Sequence, residues 1–213
     1  MSTLPYREFE WNSADSGNGE TSDRLAKAVI KRVTDLQDIK RICDLGSGNG
    51  YISGRLAALG YEVVGIDASE SGTRMASQSY PDARFICSLV DEGLPQRLAL
   101  DPFDLVICSD AIEHFYRPGD LVSAAVSLLR ADGQVLLGTP YHGYLKNLVL
   151  SLSGKMDAHF DVLDDGGHIK FFSVKTLSQL IASYGLIDLR FSFYGRAPWL
   201  WKNMICHARQ PAK

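Results

Sequence analysis

The sequence predicts an α/β fold, a parallel sheet doubly wound with helices on both faces. Three observations carry that expectation. Short apolar runs alternate with stretches of helical periodicity along most of the chain. The first run, 39–45, passes into Asp44-Leu45-Gly46-Ser47-Gly48-Asn49-Gly50, three glycines at alternate positions with a helical pattern directly after them. The length, 213 residues, holds the core of one such domain and little more.

The elements follow in order. Residues 1–21 are polar and rich in Gly, Ser and Asn, with Tyr6, Phe9 and Trp11 as isolated aromatics, and read as an arm or lid. Ser22 is placed to cap a helix whose apolar face is Leu25, Ala28, Val29, Val33 and Leu36. After the first strand, a helix carries Ile52, Leu56 and Leu59 on one face and stops at Gly60. Gly54 inside it suggests close packing on the sheet. Residues 61–66 form the second strand, with Asp67 at its carboxyl end, and a polar helix spans 69–79 before Pro81. Strands follow at 83–87 and 103–108. Pro118 opens a helix with Leu121, Val122, Ala125, Leu128 and Leu129 inward, and Asp132-Gly133 turns into a fifth strand over 134–138. The rhythm then breaks. Residues 140–172 read as a long, irregular, aromatic insertion holding Tyr141, His142, Tyr144, His159, Phe160, His168, Phe171 and Phe172. Ser173 starts a last helix that ends at Gly185, and 187–194 with 201–208 read as an antiparallel hairpin.

Composition excludes several classes. A net charge of -3 gives no overall basic character, so no nucleic-acid partner is expected. No apolar run reaches membrane-spanning length, and residues 1–12 lack the basic-then-apolar order of a signal peptide. The four cysteines stand singly, without a C-x-x-C pair, and read as buried strand thiols in a reducing cytoplasm.

The glycine motif separates two ligand classes. A dinucleotide fingerprint needs G-x-G-x-x-G, and its third glycine, counted from Gly46, would fall on Tyr51. The pattern here is D-x-G-x-G-x-G. Its adjacent carboxylate suits a cationic or zwitterionic nucleoside ligand better than a pyrophosphate.

From Ser22 to Arg209 the chain resembles the class I S-adenosylmethionine-dependent methyltransferases. The resemblance rests on Asp44 to Gly50 with Asp67, on Phe103-Asp104-Leu105-Val106-Ile107-Cys108-Ser109-Asp110-Ala111-Ile112-Glu113-His114, and on His168-Ile169-Lys170-Phe171-Phe172-Ser173 with the closing helix and hairpin. The second element looks like the fourth-strand motif of the ubiquinone-biosynthesis branch. The resemblance implies seven strands in the order 3-2-1-4-5-7-6 with the seventh antiparallel, and S-adenosylmethionine as cofactor, released as S-adenosylhomocysteine. It implies that Asp44 accepts from the cofactor ammonium, directly or through water. Gly46, Ser47, Gly48 and Gly50 line the methionine and ribose portions, and Asp67 with Ala68 lies at the ribose. Ser88 and Leu89 stand where adenine is met, in place of the family's usual acidic residue; Ser109, Asp110 and Ala111 lie beside the methionine portion.

Plainer roles compete with these. Asp44 could form a turn, Asp67 could cap the following helix, and Asp104 reads as structural. His114 could line the methyl-transfer pocket or bond the backbone. Tyr6 and Trp11 could cover the cofactor or pack on the first helix. Trp199, Leu200 and Trp201 could be hairpin core or an exposed patch for lipid or an apolar substrate, which leaves peripheral membrane contact open. His142 and His168 are the candidate general bases, ahead of His159. His159, Asp161, Asp164, Asp165 and His168 match no metal-loop spacing, so no metal is expected. The expected activity is methyl transfer to a small organic acceptor, most simply an oxygen nucleophile. An inactive cofactor-binding partner subunit is the alternative; a nicotinamide oxidoreductase is disfavoured by the glycine spacing.

Overall fold

A computed structural model describes Trp11 and residues 20–160, 162–164 and 166–212. The strands are β1 (Arg41–Leu45), β2 (Glu62–Asp67), β3 (Arg84–Cys87), β4 (Phe103–Ser109), β5 (Leu129–Pro140), β6 (Ile187–Tyr194) and β7 (Asn203–Arg209). They form one sheet in the order β3-β2-β1-β4-β5-β7-β6. The first five run parallel, and β7 lies antiparallel between β5 and β6. The order and the single reversed strand match the expectation.

Alternation along the strands splits the core in two. Ile42, Val63, Leu105, Ile107, Leu136 and Ile205 face helices α1 (Glu20–Thr34) and α2 (Tyr51–Ala57). Cys43, Leu45, Val64, Val106, Cys108, Val135 and Cys206 face the other way. There they meet α4 (Leu94–Leu98), α5 (Pro118–Leu128) and α8 (Val174–Ser183). Helix α3 (Glu70–Ser79) starts at Ser69, whose hydroxyl accepts from the Gly72 N–H at 2.9 Å. Ser173 caps α8 in the same way, with a reciprocal bond from its own N–H to Thr176. No helix among the described residues is long and apolar enough to cross a membrane.

Several expectations need correction. Helix α1 begins at Glu20, so Ser22 lies within it and not at its cap. Gly54 makes room for the Tyr80 ring at the end of α3, not for the sheet. Strand β5 starts at Leu129, and Asp132-Gly133 lies within it beside a register shift opposite Phe103 and Leu105. Cys43, Cys108 and Cys206 are buried, but Cys87 is exposed because β3 is an edge strand. The segment 140–172 is partly helical: α6 (Tyr144–Leu152) and α7 (Met156–His159) stand in it.

Asp104 is structural, as read. Its carboxylate accepts from the Lys40 and Arg41 N–H groups at 2.9 and 2.8 Å and pairs with Arg130. Burial draws its pKa upward, but those N–H groups and the guanidinium outweigh it, so the net shift is downward. The stabilisation is therefore present above about pH 4, the ordinary Asp range, and is lost as pH falls through the depressed value. Asp104→Ala strands two backbone donors, and urea denaturation at pH 7 is expected to show a loss of about 1–3 kcal/mol.

Candidate active site

The carboxyl ends of β1, β2 and β4 converge. Past β1 the chain turns through Gly46, Gly48 and Gly50 at φ 77°, 53° and 78°, a region that favours glycine. The Gly46 and Ser47 N–H groups donate to the Ile66 carbonyl at 2.8 and 3.2 Å, tying the turn to β2. A Cβ on Gly46 would stand 2.5 Å from that of Ala111, so the segment after β4 closes directly on the turn. A Cβ on Gly48 would run into the Trp11 ring, which also flanks Gly72. Trp11, the only described residue before Glu20, thus lies against the glycine turn; Tyr6 lies outside the described residues.

Two carboxylates frame the turn. Asp67 accepts from the Gly48 and Ser69 N–H groups, one on each oxygen, both at 2.8 Å. It therefore braces the loop and the start of α3 together. Asp44 is buried and accepts from the Ser53 hydroxyl at 2.6 Å. Burial raises its pKa to about 7; the Ser53 bond opposes this and the Asp67 charge adds to it. Such a carboxyl gains most from a cation placed beside it. Buried Asp44, half-buried Asp67, three close-approach glycines and the unpartnered, buried Ser47 hydroxyl fit the cationic methionine end and the ribose of S-adenosylmethionine.

The adenine side is plainer. The Ser88 N–H donates to the Asp67 carbonyl at 2.9 Å, but its hydroxyl turns to the Leu89 carbonyl. Leu89 is 62% exposed, and Ala68 offers its carbonyl to the Cys87 thiol.

After β4, Asp110 sits at φ 49° with its N–H on the Gly138 carbonyl. Burial lifts its pKa to about 6, against a hydrogen bond with Glu113. Glu113 is fully buried in a short 3₁₀ turn, Ile112–His114. Its Oε2 accepts from the Thr139 hydroxyl at 2.9 Å, and Oε1 has no hydrogen-bond partner. Burial, then Asp110, push its pKa well up. The Glu113 carbonyl accepts from the Ile169 and Lys170 N–H groups, pinning the end of the insertion to the site. His168 Nε2 is thereby set 3.9 Å from Glu113 Oε1. Of the two roles open for His114, it makes the backbone bond, Nδ1 with the Gly166 carbonyl at 2.9 Å, and its ring also meets His168 edge-on at 4.8 Å.

One ligand atom each from Glu113, His114 and His168 lies within 4.8 Å of the others, a donor set suited to a divalent cation. No sequence spacing pointed there, because the third member arrives from another part of the chain. Of the acidic cluster weighed at the sequence level, Asp161 and Asp165 lie outside the described residues.

The aromatic insertion forms one wall. A cavity of about 180 Å³ is lined by His159, Phe160, Asp164, His168 and Phe171. His142 packs against His159, Phe160 and Phe171 with ring centres 5.1–5.5 Å apart. Burial, then neighbouring Lys146, depress the His142 pKa to about 3; burial, then His114, hold His168 near 4. Both rings are neutral at pH 7. An unfolded chain takes protons on these rings below about pH 6.5 that the folded chain does not. Stability is accordingly expected to decline as pH falls from 6.5 toward 4, and His142→Phe should reduce that decline in melts across this range. Trp201 stacks on Phe193 at 4.2 Å as hairpin core, while Trp199 is 61% exposed.

Residues 18–189 match the family model described as a methyltransferase domain. The chain belongs to the class I methyltransferase family. This methyltransferase domain is 29% identical over 153 residues to a ubiquinone biosynthesis O-methyltransferase of Aromatoleum aromaticum, covering 69% of this chain and 64% of the relative. The relative of the same description from Ralstonia nicotianae is 29% identical over 151 residues, with 69% and 63% covered. The match thus spans just under two thirds of those relatives' length. The fold is shared with magnesium protoporphyrin IX methyltransferase from Synechocystis, solved with S-adenosylhomocysteine (TM-score 0.67, 18% identity, 91% and 90% covered). It is shared also with a SAM-dependent methyltransferase from Archaeoglobus fulgidus (TM-score 0.65, 15% identity, 87% and 94% covered).

Proposed function

We propose that this methyltransferase domain binds S-adenosylmethionine at the glycine turn and methylates an oxygen of a small organic acceptor. The observation that carries the reading is the pairing of buried Asp44 with loop-bracing Asp67 around three positive-φ glycines. The O-methyltransferase relatives support the oxygen acceptor. When bound, the cofactor supplies a methyl carbon made electrophilic by its sulfonium. Asp44 and the segment Ser109 to Ala111 hold the methionine end, and Asp67 takes the ribose hydroxyls. Trp11 covers the turn. His168 accepts the acceptor's hydroxyl proton on a neutral ring, beside Glu113; His142 supports the wall that excludes water.

Calorimetry with S-adenosylhomocysteine tests the cofactor site. Micromolar binding is expected, and Asp67→Ala should weaken it about ten- to hundredfold, the worth of a charged hydrogen bond. Unchanged affinity would remove Asp67 from the site. Transfer of labelled methyl across a panel of hydroxylated acceptors separates an enzyme from an inactive partner subunit. The convergence of Glu113, His114 and His168 favours a second reading of that corner as a divalent-cation site. Activity lost in EDTA and restored by a divalent cation would select it.

A further inference from the structure

We propose that Glu113 and His114 are positioning residues, which clamp residues 166–170 so that His168 offers Nδ1, and not Nε2, to the acceptor's proton. The inference rests on the methyltransferase reading above, with His168 as its base, and names what aims that base. Two adjacent residues hold the returning end of the insertion. His114 Nδ1 meets the Gly166 carbonyl at 2.9 Å and the Gly167 carbonyl at 3.2 Å. The Glu113 carbonyl accepts from the Ile169 and Lys170 N–H groups at 3.0 and 2.9 Å. His168 stands between these ties, and its ring meets that of His114 edge-on. The dipeptide thus sets both where residue 168 sits and how its ring lies.

The side chains set the protons. A carbonyl only accepts, so His114 Nδ1 carries the hydrogen. That is the form a histidine in water disfavours. Glu113 Oε1 is a buried carboxyl oxygen without a hydrogen-bond partner, and His168 Nε2 stands 3.9 Å from it. An unpaired buried acceptor is costly, and a donor N–H turned toward it relieves the cost. The gap closes to a hydrogen bond with a movement of about 1 Å, as catalytic contacts do when a site fills. Thr139 keeps the carboxyl from turning away, by donating to Oε2 at 2.9 Å. With a hydrogen on Nε2, the lone pair of the neutral His168 ring is on Nδ1. His168 lines the cavity, so an acceptor seated there meets this ring. As the acceptor oxygen bonds to the methyl carbon and the carbon–sulfur pair leaves on sulfur, the hydroxyl proton passes to Nδ1. The imidazolium so formed keeps its Nε2–H on Glu113.

Long-range proton–nitrogen NMR of protein labelled with nitrogen-15 histidine reads which ring nitrogen is protonated. Spectra are taken near neutral pH in EDTA, so that no cation fixes the rings, with and without S-adenosylhomocysteine. His114→Phe and His168→Phe assign the signals. His114 is expected in the Nδ1–H form and His168 in the Nε2–H form, its N–H proton visible when S-adenosylhomocysteine is bound. Glu113→Leu keeps the main-chain ties and should lose that proton signal to exchange with water, while His114 keeps its form. Thr139→Val should weaken the signal and Thr139→Ser restore it; this pair serves if Glu113→Leu does not fold. With a hydroxylated acceptor that turns over, Glu113→Leu should lower kcat about tenfold or more, the cost of a mis-set imidazole, and leave KM for S-adenosylmethionine within about twofold. A proton on His168 Nδ1, His114 in the Nε2–H form, a His168 signal unchanged in Glu113→Leu, or an undiminished kcat would overturn the proposal. Any of these with S-adenosylhomocysteine still bound leaves the methyltransferase reading intact. Failure to bind S-adenosylhomocysteine would instead defeat that reading, and the ring protons are still read without it.

Discussion

Gly48→Val is expected to abolish S-adenosylhomocysteine binding while far-ultraviolet circular dichroism stays that of the wild type. Two effects combine. At φ 53° a β-branched residue is strained. Its branches would also occupy the space taken by the Trp11 ring, on the face where the turn meets its ligand. The loop's other ties, from Gly46 and Ser47 to Ile66, are untouched, so the sheet should survive. Trp11→Ala separates the two effects, because it removes the ring and leaves the turn relaxed; a loss of only a few-fold is expected there. A folded Gly48→Val protein with normal affinity would show that the glycine turn is not the cofactor site.

The second large effect is expected at His168. His168→Ala should lower kcat by about 10²–10⁴-fold, the usual range for a lost acid–base group, with cofactor affinity near wild type. The pH profile adds a readout that a packing role would not move. Burial and His114 keep the His168 pKa near 4, so its acid limb should lie well below neutrality, with no His168 step between pH 6 and 8. In the variant, activity should recover as pH rises and the acceptor ionises without help. His142→Ala should cost less, because His142 meets other rings and not Glu113. Full activity in both single variants and in the double variant would mean that positioning alone drives the transfer.

Most of the fold was legible because its signals are local. Alternating apolar runs, the Asp44–Gly50 turn and the helix start at Ser173 each act within a few residues, and the strand order followed from the family resemblance. What escaped depends on long-range partners. Helices α6 and α7 lie in a stretch whose aromatic density hid a helical period, and short α4 gave too few turns to show one. Cys87 looked like Cys43 in sequence, since nothing local marks an edge strand. At the site, the first-strand and second-strand carboxylates could be named from position alone. Glu113 could not be weighed, because its burial is set by Thr139 on β5 and by the returning segment at Ile169 and Lys170.

The seat of Trp11 has an optical consequence. An indole resting on the glycine turn reports, through its emission, whether that turn is occupied. Of the chain's three tryptophans, the other two sit on the hairpin side, with Trp199 largely in solvent and Trp201 stacked on Phe193. Their fluorescence provides a steady background against which quenching or a spectral shift at position 11 can be followed. Mixing the unlabelled protein with cofactor in a stopped-flow instrument would then time occupation of the turn directly, and Trp11→Phe would silence the signal without emptying the seat.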